Sequence, residues 1–556
     1  MQTQFSETDK RFYEYCCKDS AVTYEINSYL DPRIKATARQ QYLFNVNLLL
    51  PFRYMELRGI QYDHEKARLR CNILKQKMFA CQATLNALCG FGFTFTNLKE
   101  ITERAKQVCL TVKQDRERKA YIETYARIET LLREPHPSLE TVGELEDLCE
   151  VSLNAGSKSQ LSEFLYGTLK LPTQWTKKRN ETPRITIDYE ALLNLSKYCQ
   201  QENLGFQGKI ILALIELRAL STRCTNLNCN FDQDTRMRFG YNIVGSNTGR
   251  TQCYISPTGR GRAGQGIPKY ATNEEAPGGI KGDRDLFTAD NGNFIFECDL
   301  EGADSWTVAA YCAMLGDSTM LTDLQLGIRP AKRICLKMRG VQIDYHNPQA
   351  VLEASAAVSK SSWDYFACKR VVHGGSYLEG ARTIVRNILK DSEGKMFLPE
   401  SEGKALKDLL LRECYPGITR YHRYIETQLS KSRTLIAASG QVRLFNGRSD
   451  EILTKAVAFE PQANTTYATN KALWRLWSDP ENRQQCPYNQ HLIIEPLHQV
   501  HDALLGQFSI TSVVWAIEKI KSYFNNPITI AGQTITIPFE GTYGKYWGDK
   551  VGEIKP

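Results

Sequence analysis

The sequence predicts a mixed α/β (α+β) fold in which helical segments surround a sheet built from two separated stretches of chain. Residues 38–90 and 305–426 carry apolar side chains at the three- and four-residue spacing of helices. Residues 236–295, and again the C-terminal part of the chain, have short apolar runs divided by Gly-rich turns, which is typical of strands. Because helical and mixed segments alternate, we expect the two mixed segments to form one sheet. A length of 556 residues is enough for several subdomains.

The composition is that of a globular protein without a membrane partner. Hydrophobic residues make up 42% of the chain and charged residues 24%. No run approaches the roughly 20 apolar residues that a membrane span requires. The 17 cysteines have no metal-ligand spacing, and their odd number favours a reducing compartment over a disulfide framework. We therefore expect a soluble, cytoplasmic protein.

Positive charge is concentrated in one stretch of the sequence. The net charge of +8 is modest for this length and does not by itself indicate a nucleic-acid partner. Residues 236–269, however, contain six Lys or Arg residues and no Asp or Glu, among Gly, Ser and Thr. Such an unscreened basic stretch is suited to binding phosphates.

The N-terminal part of the chain is predicted to be helical. Residues 1–30 contain a short helix, and Gly59 breaks a helical period before Asp63, which has the position of an N-cap. Residues 97–150 have Lys, Arg and Glu at helical spacing, so we expect a solvated helical hairpin or insertion there. Lys209–Leu220 is apolar enough to be a core helix.

A predicted buried strand presents a single carboxylate. Phe294–Tyr311 reads as a strand that ends at Asp299, followed by a turn and an apolar helix. A rigid strand fixes the position of such a carboxylate, which suits a divalent metal site. One Asp cannot hold a catalytic metal alone. The best candidate partner is Asp502, at a tight turn between two apolar runs in Gln499–Leu505.

Two further segments carry candidate ligand-binding side chains. In Ser246–Pro268, Gly249 permits close approach of the backbone, and Arg250 and Gln265 can reach phosphates and base acceptors. In Tyr365–Gly380, a Lys, a His and a Tyr recur every four residues, so all three project from one face of a helix. These residues are Lys369, His373 and Tyr377. Together they can bind a triphosphate, a base and a sugar, although the His alone also suits an ordinary hydrogen-bonded helix position.

In this order, the segments resemble the motifs of family A DNA polymerases, the bacterial polymerase I and phage replicative type. Segment 246–268 resembles the family's thr-gly-arg and gln-x-ile-pro region, 294–311 motif A, 365–380 motif B and 499–505 motif C. The resemblance implies a right-hand polymerase fold with a helical thumb, helical fingers and an antiparallel palm sheet.

The resemblance also implies domain boundaries. It places the tail of a 3′–5′ exonuclease-like domain at 1–35, a mainly helical thumb region at 36–230 with the insertion near 97–150, the first palm segment at 231–315, the fingers at 316–435 and the second palm segment at 436–556.

The activity that the resemblance implies is template-directed DNA synthesis in DNA replication. A primer 3′-hydroxyl attacks the α-phosphate of a dNTP with the help of two Mg²⁺ ions, for which Mn²⁺ can substitute. The implied partners are primer–template DNA and dNTPs.

Three groups of site residues follow from the motifs. Asp299 and Asp502 are catalytic and hold metal with the backbone carbonyl of Leu300; Lys369, His373, Tyr377, Asp304 and Arg370 bind the nucleotide; Thr248, Arg250, Gln265, Arg443, Gln462, Gln499 and His501 contact DNA.

Three positions depart from the usual pattern of this family. Asp304 stands where the family usually has a Glu that blocks a ribose 2′-hydroxyl, Tyr365 where it often has Arg, and Ala503 where it usually has a third acid. Glu301 and Glu495 are candidates for additional negative charge near the metal pair. Two alternatives stay open: a catalytically weak primer–template binding subunit, and a polymerase with relaxed choice between deoxyribo- and ribonucleotides.

The N-terminal segment resembles part of a nuclease. Tyr15 and Asp19 resemble the third motif of the family's 3′–5′ exonuclease, although the same two residues also suit one plain helix face. The two earlier exonuclease motifs would lie upstream of Met1. We therefore expect no unaided proofreading and, through a truncation or a split gene of phage origin, a separate 3′–5′ exonuclease chain or other replisome proteins as partners.

Overall fold

The structure is a computed structural model that describes a subset of the chain. The described residues are 7–34, 36–85, 156–176, 182–228, 231–256, 259–268, 282–484, 491–530 and 532–556, together with 88, 127 and 130. Apart from residues 127 and 130, the predicted helical insertion at 97–150 lies outside them.

Helices make up most of the described chain. They are α1 (Glu7–Leu30), α2 (Ala36–Arg58), α3 (64–85), α4 (Lys158–Ser162), α5 (Tyr189–Gln201), α6 (Gly205–Leu227), α7 (Ala303–Met314), α8 (Thr319–Gln325), α9 (Pro330–Met338), α10 (Pro348–Ala356), α11 (Trp363–Ser376), α12 (Ala381–Asp391), α13 (Glu400–Asp408), α14 (Gly417–Ser432), α15 (Ser449–Val457), α16 (Phe459–Ser478) and α17 (Val513–Phe524). Two π-helical turns, Glu163–Thr168 and Leu409–Cys414, continue α4 and α13. None of the described helices is long and apolar enough to cross a membrane.

The described strands are short, and most lie in the two segments that the sequence predicts to be mixed. They are β1 (Ile60–Tyr62), β2 (Arg236–Met237), β3 (Phe239–Asn242), β4 (Gln252–Ile255), β5 (Phe287–Thr288), β6 (Asn293–Leu300), β7 (Thr434–Ile436), β8 (Val442–Leu444), β9 (Arg483–Gln484), β10 (His491–Leu492), β11 (Ile494–Val500), β12 (Ala503–Ser509), β13 (Pro527–Ile530), β14 (Gln533–Thr536), β15 (Phe539–Gly544) and β16 (Gly552–Ile554).

A five-stranded antiparallel sheet in the order β11–β12–β6–β15–β16 lies at the centre of the fold. Its middle strand, β6, comes from the first mixed segment, and its neighbours come from the C-terminal one. Along β6, Phe296, Cys298 and Leu300 are buried, whereas Glu297 and Asp299 on the opposite face are only half-buried. This two-residue alternation sets which side chains face the core. The prediction of one sheet from two separated stretches is confirmed.

The helix that follows β6 joins the sheet to a helical layer. Gly302 has a φ of 64°, in the left-handed region that favours glycine, and lets the chain turn from β6 into α7. Helix α7 packs against α14 and α16, and its buried Ala309 and Ala310 allow close approach. Helix α16 follows α15 directly, with Ala458 between them.

The N-terminal elements agree with their predictions. Gly59 has a φ of 65°, and the backbone N–H of Lys66 donates to Asp63 Oδ1 at 2.9 Å, as an N-cap requires. The predicted core helix at 209–220 lies within α6, where Leu214 and Leu220 are buried. Helix α1 confirms an N-terminal helix, which at 24 residues is longer than the short one expected, and its side chains at 11 and 13–30 are all exposed.

The basic stretch at 236–269 is not unscreened, contrary to the sequence prediction. Five of its cations form ion pairs with acids that precede or follow the stretch. The pairs are Arg236–Asp290 at 2.9 Å, Arg238–Asp234 at 2.5 Å, Arg250–Asp304 at 3.8 Å, Arg260–Asp232 at 3.6 Å and Arg262–Asp283 at 4.0 Å. Lys269 lies outside the described residues. The local sequence window hid this pairing because the partner acids lie outside it.

A buried carboxyl group beneath α7 is expected to make stability depend on pH. Glu460 of α16 is 5% exposed, and burial raises its pKa to about 7, partly offset by a hydrogen bond from Tyr311. The unfolded chain ionises this group near its ordinary pKa, whereas the folded chain keeps it protonated until about 7. The free energy of unfolding is therefore highest below the ordinary pKa of this group. It falls by about 3 kcal/mol in total as the pH rises to about 7.

We expect Glu460→Gln to remove this loss, so that the variant gains stability relative to the wild type between pH 4.5 and 8. Urea unfolding over a pH series measures the difference. Glu413→Gln, at an exposed acid, is the matched control and should leave the wild-type pH profile unchanged. Parallel profiles for Glu460→Gln and the wild type would contradict the assignment.

Candidate active site

An open cleft of about 760 Å³ lies at the end of β6, between the central sheet and helices α9 and α11. The sheet side contributes five acids, which are Asp299, Glu301, Asp304, Asp502 and Glu540. The helical side contributes four cations, which are Arg329, Lys332, Lys360 and Lys369. The cleft therefore sets a negatively charged floor against a positively charged wall.

The two predicted catalytic acids line this cleft together. Asp299 is the penultimate residue of β6, and Asp502 belongs to the two-residue turn between β11 and β12, where His501 has a φ of 55°. The backbone N–H of Leu300 donates to the Asp502 carbonyl oxygen at 3.2 Å. The hydroxyl of Thr469 donates to the same oxygen at 3.4 Å. Backbone pairing, rather than the side chains alone, therefore holds these two residues next to each other.

The donor set at this point fits a magnesium-type ion. Asp299 and Asp502 supply hard carboxylate oxygens, and Mg²⁺ is usually held by one or two carboxylates together with substrate phosphates. Among the described residues, no group of three or more His, Cys, Asp or Glu side chains forms a complete metal cage. A site of this kind would depend on phosphate oxygens from a ligand to complete the coordination.

Two other acids were not assigned correctly from the sequence. Glu495 is at the far end of the β11–β12 hairpin, opposite Gln507, where Tyr54 and Arg58 bond its carboxylate at 2.6 and 2.7 Å. It is therefore not a source of charge for the metal pair. Glu540, which the sequence did not single out, is the register partner of Asp299 on β15 and lines the cleft. Only strand pairing reveals it.

The predicted face of α11 does point into the cleft. Lys369, His373 and Tyr377 all line it, and the rings of His373 and Tyr377 meet edge to face with centroids 5.0 Å apart. Tyr377 is buried, and burial together with the negative charge of Asp304 raises its pKa well above the usual value. Tyr377 therefore stays a neutral phenol at the inner end of the cleft.

Asp304, in the first turn of α7, is held from two sides. The Thr465 hydroxyl on α16 donates to Asp304 Oδ1 at 2.9 Å, and the Arg250 guanidinium lies 3.8 Å from Oδ2. Tyr377 faces the same carboxylate. These contacts bring the predicted nucleotide-binding acid and the predicted DNA-binding Arg250 to one point beside Asp299.

Three cations on the helical side were missed by sequence reasoning. Arg329 and Lys332 lie at the start of α9, and Lys360 lies in the loop before α11. Burial, followed by the positive charges of the neighbouring cations, lowers the pKa of Lys332 and of Lys360. The only indication in the sequence that another cation was needed is Tyr365, which stands where the resemblance implies Arg. Arg370, which was predicted to bind the nucleotide, is not among the residues that line the cleft, and its Nε lies 3.0 Å from Asp391.

Several predicted DNA contacts belong to a hydrogen-bonded network beneath the cleft. Gln265 Nε2 donates to the Thr251 carbonyl at 3.0 Å and to the Gln499 carbonyl at 3.4 Å, and its Oε1 accepts from the Cys253 N–H at 3.2 Å. Gln499 is 1% exposed, and its Nε2 donates to Asn470 at 2.6 Å. In this arrangement the two Gln side chains support the turn that carries Asp502.

The other predicted DNA contacts lie around the same surface. Thr248 is buried, with its hydroxyl 3.1 Å from that of Ser246. Arg443 lies over the Phe445 ring at 4.5 Å, and burial lowers its pKa. Gln462 is half-buried on α16. Partial burial and the positive charge of Arg250 lower the pKa of His501. Their contact with DNA stays a prediction.

Comparison with known proteins supports the fold. No protein-family model and no curated protein matches the chain. Among solved structures, the chain is similar to the "POL domain of Pol1 from M. smegmatis complex with DNA primer-template and dNTP". The TM-score is 0.55 at 17% sequence identity, over 90% of this chain and 70% of that one. The chain therefore has a polymerase-domain fold of mixed helices and antiparallel sheet.

Proposed function

We propose that the protein is a family A-like, DNA-directed DNA polymerase that extends a primer 3′-hydroxyl with dNTPs. The observation that carries this proposal is the joint placement of Asp299 and Asp502 in a cleft whose opposite wall presents Lys369. Two adjacent carboxylates facing a cation-rich helix suit a reaction in which a polyphosphate brings metal to the acids. The solved structure with the similar fold was itself captured with primer–template and dNTP.

The chain's own residues have distinct roles in the proposed reaction. Asp299, Asp502 and the Leu300 carbonyl would hold two divalent ions, which lower the pKa of the primer hydroxyl and neutralise the leaving phosphates when bound. Lys369 places positive charge where negative charge accumulates on the triphosphate, and His373 and Tyr377 form the wall against the base and sugar. The fixed backbone pairing between β6 and the Asp502 turn keeps the acids at a constant spacing, so that little reorganisation is needed.

The cation set of the cleft explains how the enzyme can work without Arg at Tyr365. In this proposal Arg329, Lys332 and Lys360 supply the positive charge for the β- and γ-phosphates from α9 and from the loop before α11. Lys332 is fixed by its Nζ donating to Ser355 Oγ at 3.2 Å. Positive charge therefore reaches the cleft from outside the motif B helix.

Primer extension tests the proposal directly. A labelled primer annealed to a longer template is incubated with the protein and Mg²⁺ or Mn²⁺, and extension is expected only with the dNTP that complements the template. Parallel reactions with the matching rNTP measure the choice of sugar. Binding of primer–template without extension under either metal would overturn the proposal and favour the primer–template binding subunit.

Asp304 is expected to decide the choice between deoxyribo- and ribonucleotides. Its carboxylate is held by Thr465 and faces Tyr377, beside Asp299. We expect Asp304→Ala to lower the preference for dNTP over rNTP by about tenfold or more, because the group that excludes the 2′-hydroxyl is lost. Single-nucleotide incorporation with each substrate measures the ratio of kcat/KM values. Asp364→Ala, on α11 but outside the cleft lining, is the control, and an unchanged ratio in Asp304→Ala would refute this role.

Partner proteins stay a prediction of the sequence. We propose that a separate 3′–5′ exonuclease chain binds the N-terminal segment that contains Tyr15 and Asp19. The support is the continuous exposure of the side chains at 13–30 of α1. A replicative role and a phage origin belong to the same proposal.

A further inference from the structure

Glu301 occupies an unusual place in the cleft. It lies two residues after Asp299, at the junction of β6 and α7, and it lines the cleft. Its carboxylate forms an ion pair with the Arg329 guanidinium, and its Oε1 lies 3.6 Å from Lys360 Nζ. One acid thus holds two of the cations on the opposite wall.

The geometry sets a carboxylate against the phosphates that the cleft is proposed to bind. A carboxylate oxygen and a phosphate oxygen compete for the same guanidinium and ammonium donors. The Glu301 side chain is 30% exposed, that of Arg329 is 26% exposed and that of Lys360 is 54% exposed. The ion pairs are therefore neither buried and permanent nor fully solvated, and a ligand with more negative charge can replace the carboxylate.

We infer that Glu301 is an internal competitor of the incoming nucleotide. Its carboxylate holds Arg329 and Lys360, and the polyphosphate of the nucleotide must displace it to reach them. This inference rests on the proposed polymerase function for the identity of the ligand. A ligand with several phosphate charges is therefore expected to displace the Glu301 carboxylate from Arg329 and Lys360.

Removal of the competitor should tighten binding of a polyphosphate. The probe is inorganic tripolyphosphate, titrated into the full-length protein by isothermal titration calorimetry in low salt with EDTA, so that neither metal nor catalysis contributes. Glu301→Gln keeps the size of the side chain and is expected to bind the probe about fivefold more tightly than the wild type, which corresponds to the loss of a half-exposed ion pair. The gain should shrink as the salt concentration rises.

The matched control is Glu413→Gln, because Glu413 also pairs with a lysine, Lys337 at 3.4 Å, but lies outside the cleft lining. It should bind tripolyphosphate as the wild type does. Glu301→Ser serves as a second neutral variant should Glu301→Gln fold poorly. Equal or weaker binding by the neutral Glu301 variants would overturn the inference.

A second background tests the route of the effect. In Lys360→Gln, Glu301 retains one of its two cations, so we expect Glu301→Gln to give a smaller gain there than in the wild type. A gain of the same size in both backgrounds would contradict a competition for Lys360. Primer extension by the wild type is read separately: extension with no gain in Glu301→Gln defeats this inference alone, whereas a gain without extension defeats the polymerase proposal alone.

Discussion

Replacement of Asp299 or Asp502 by Asn is expected to lower the rate of primer extension by about a thousandfold or more, because each change removes negative charge where the reacting metal ions would bind. Both residues line the same cleft, and the Leu300 N–H joins their backbones. Single-turnover extension of a labelled primer measures the rate. Affinity for primer–template should stay within about threefold, since uniform binding and transition-state binding are separable.

The control for this pair of variants is Asp364→Asn. Asp364 lies on α11, pairs with Arg339 at 3.4 Å and does not line the cleft, so its extension rate should match that of the wild type. A normal rate in either Asp299→Asn or Asp502→Asn would rule out the assignment of these two acids. A loss of primer–template binding in parallel with activity would point to a structural defect instead.

Replacement of Arg58 by Met is expected to lower the free energy of unfolding by about 3–5 kcal/mol, because it leaves two half-buried carboxylates without their shared cation. Arg58 at the end of α2 lies 2.5 Å from Asp290 and 2.7 Å from Glu495, and its side chain is only 12% exposed. Gln507 also bonds both carboxylates, at 3.1 and 2.6 Å. Arg58 thus ties α2 to the central sheet through a connected network.

The effect of Arg58→Met should depend on pH in a defined direction. Burial alone would raise the pKa of Glu495 and of Asp290, but Arg58 and its neighbours outweigh it and hold both pKa values below their usual range. The stabilisation is therefore present above the ordinary carboxyl pKa and is lost as the pH falls through the lowered pKa values. Urea unfolding should show a large gap between the wild type and Arg58→Met at pH 7 and a smaller gap near pH 3.

The control for the network is Arg339→Met. Its pair with Asp364 is exposed on both sides, with side-chain exposures of 40% and 56%, so its removal should change stability by less than about 1 kcal/mol. If Arg58→Met and Arg339→Met lowered the free energy of unfolding by similar amounts, burial would not be the cause of the large effect expected for Arg58.

Asp299 and Asp502 could be singled out from the sequence because their signals are local. A buried run that ends on Asp299 and a tight turn that contains Asp502 can each be recognised within a few residues. The ordered motifs supplied the connection between two segments that lie far apart in the sequence.

The additional cations on the helical side of the cleft could not be predicted from the sequence, because their position depends on packing between helices. Arg329, Lys332 and Lys360 lie in ordinary polar stretches, and they meet in the cleft because α9 packs against α11. The same limit applies to Glu540, which only strand register brings beside Asp299. A resemblance transfers residues at matched positions, so it cannot identify charges that a different helix contributes.

The hydrogen-bond and ion-pair partners of polar side chains also could not be predicted from the sequence. Gln265 and Gln499 were assigned to DNA from their motifs, but in the structure Gln265 Nε2 donates to the Gln499 carbonyl and Gln499 Nε2 donates to Asn470 Oδ1. The basic stretch at 236–269 was similarly paired with acids at Asp283 and Asp290, which lie beyond the stretch. Charge along a sequence and charge on a surface differ whenever such pairs form.

The central position of β6 has a consequence for local opening of the protein. Antiparallel neighbours flank this strand on both sides, so its amides are paired from the first to the last residue that precedes the cleft. Such amides exchange with solvent hydrogen only in the rarest, near-global openings. Protection from deuterium exchange should therefore be highest beside Asp299 and lower in the loop that carries Lys360. Thermal fluctuations would then displace the Lys360 ammonium group more than the Asp299 carboxylate.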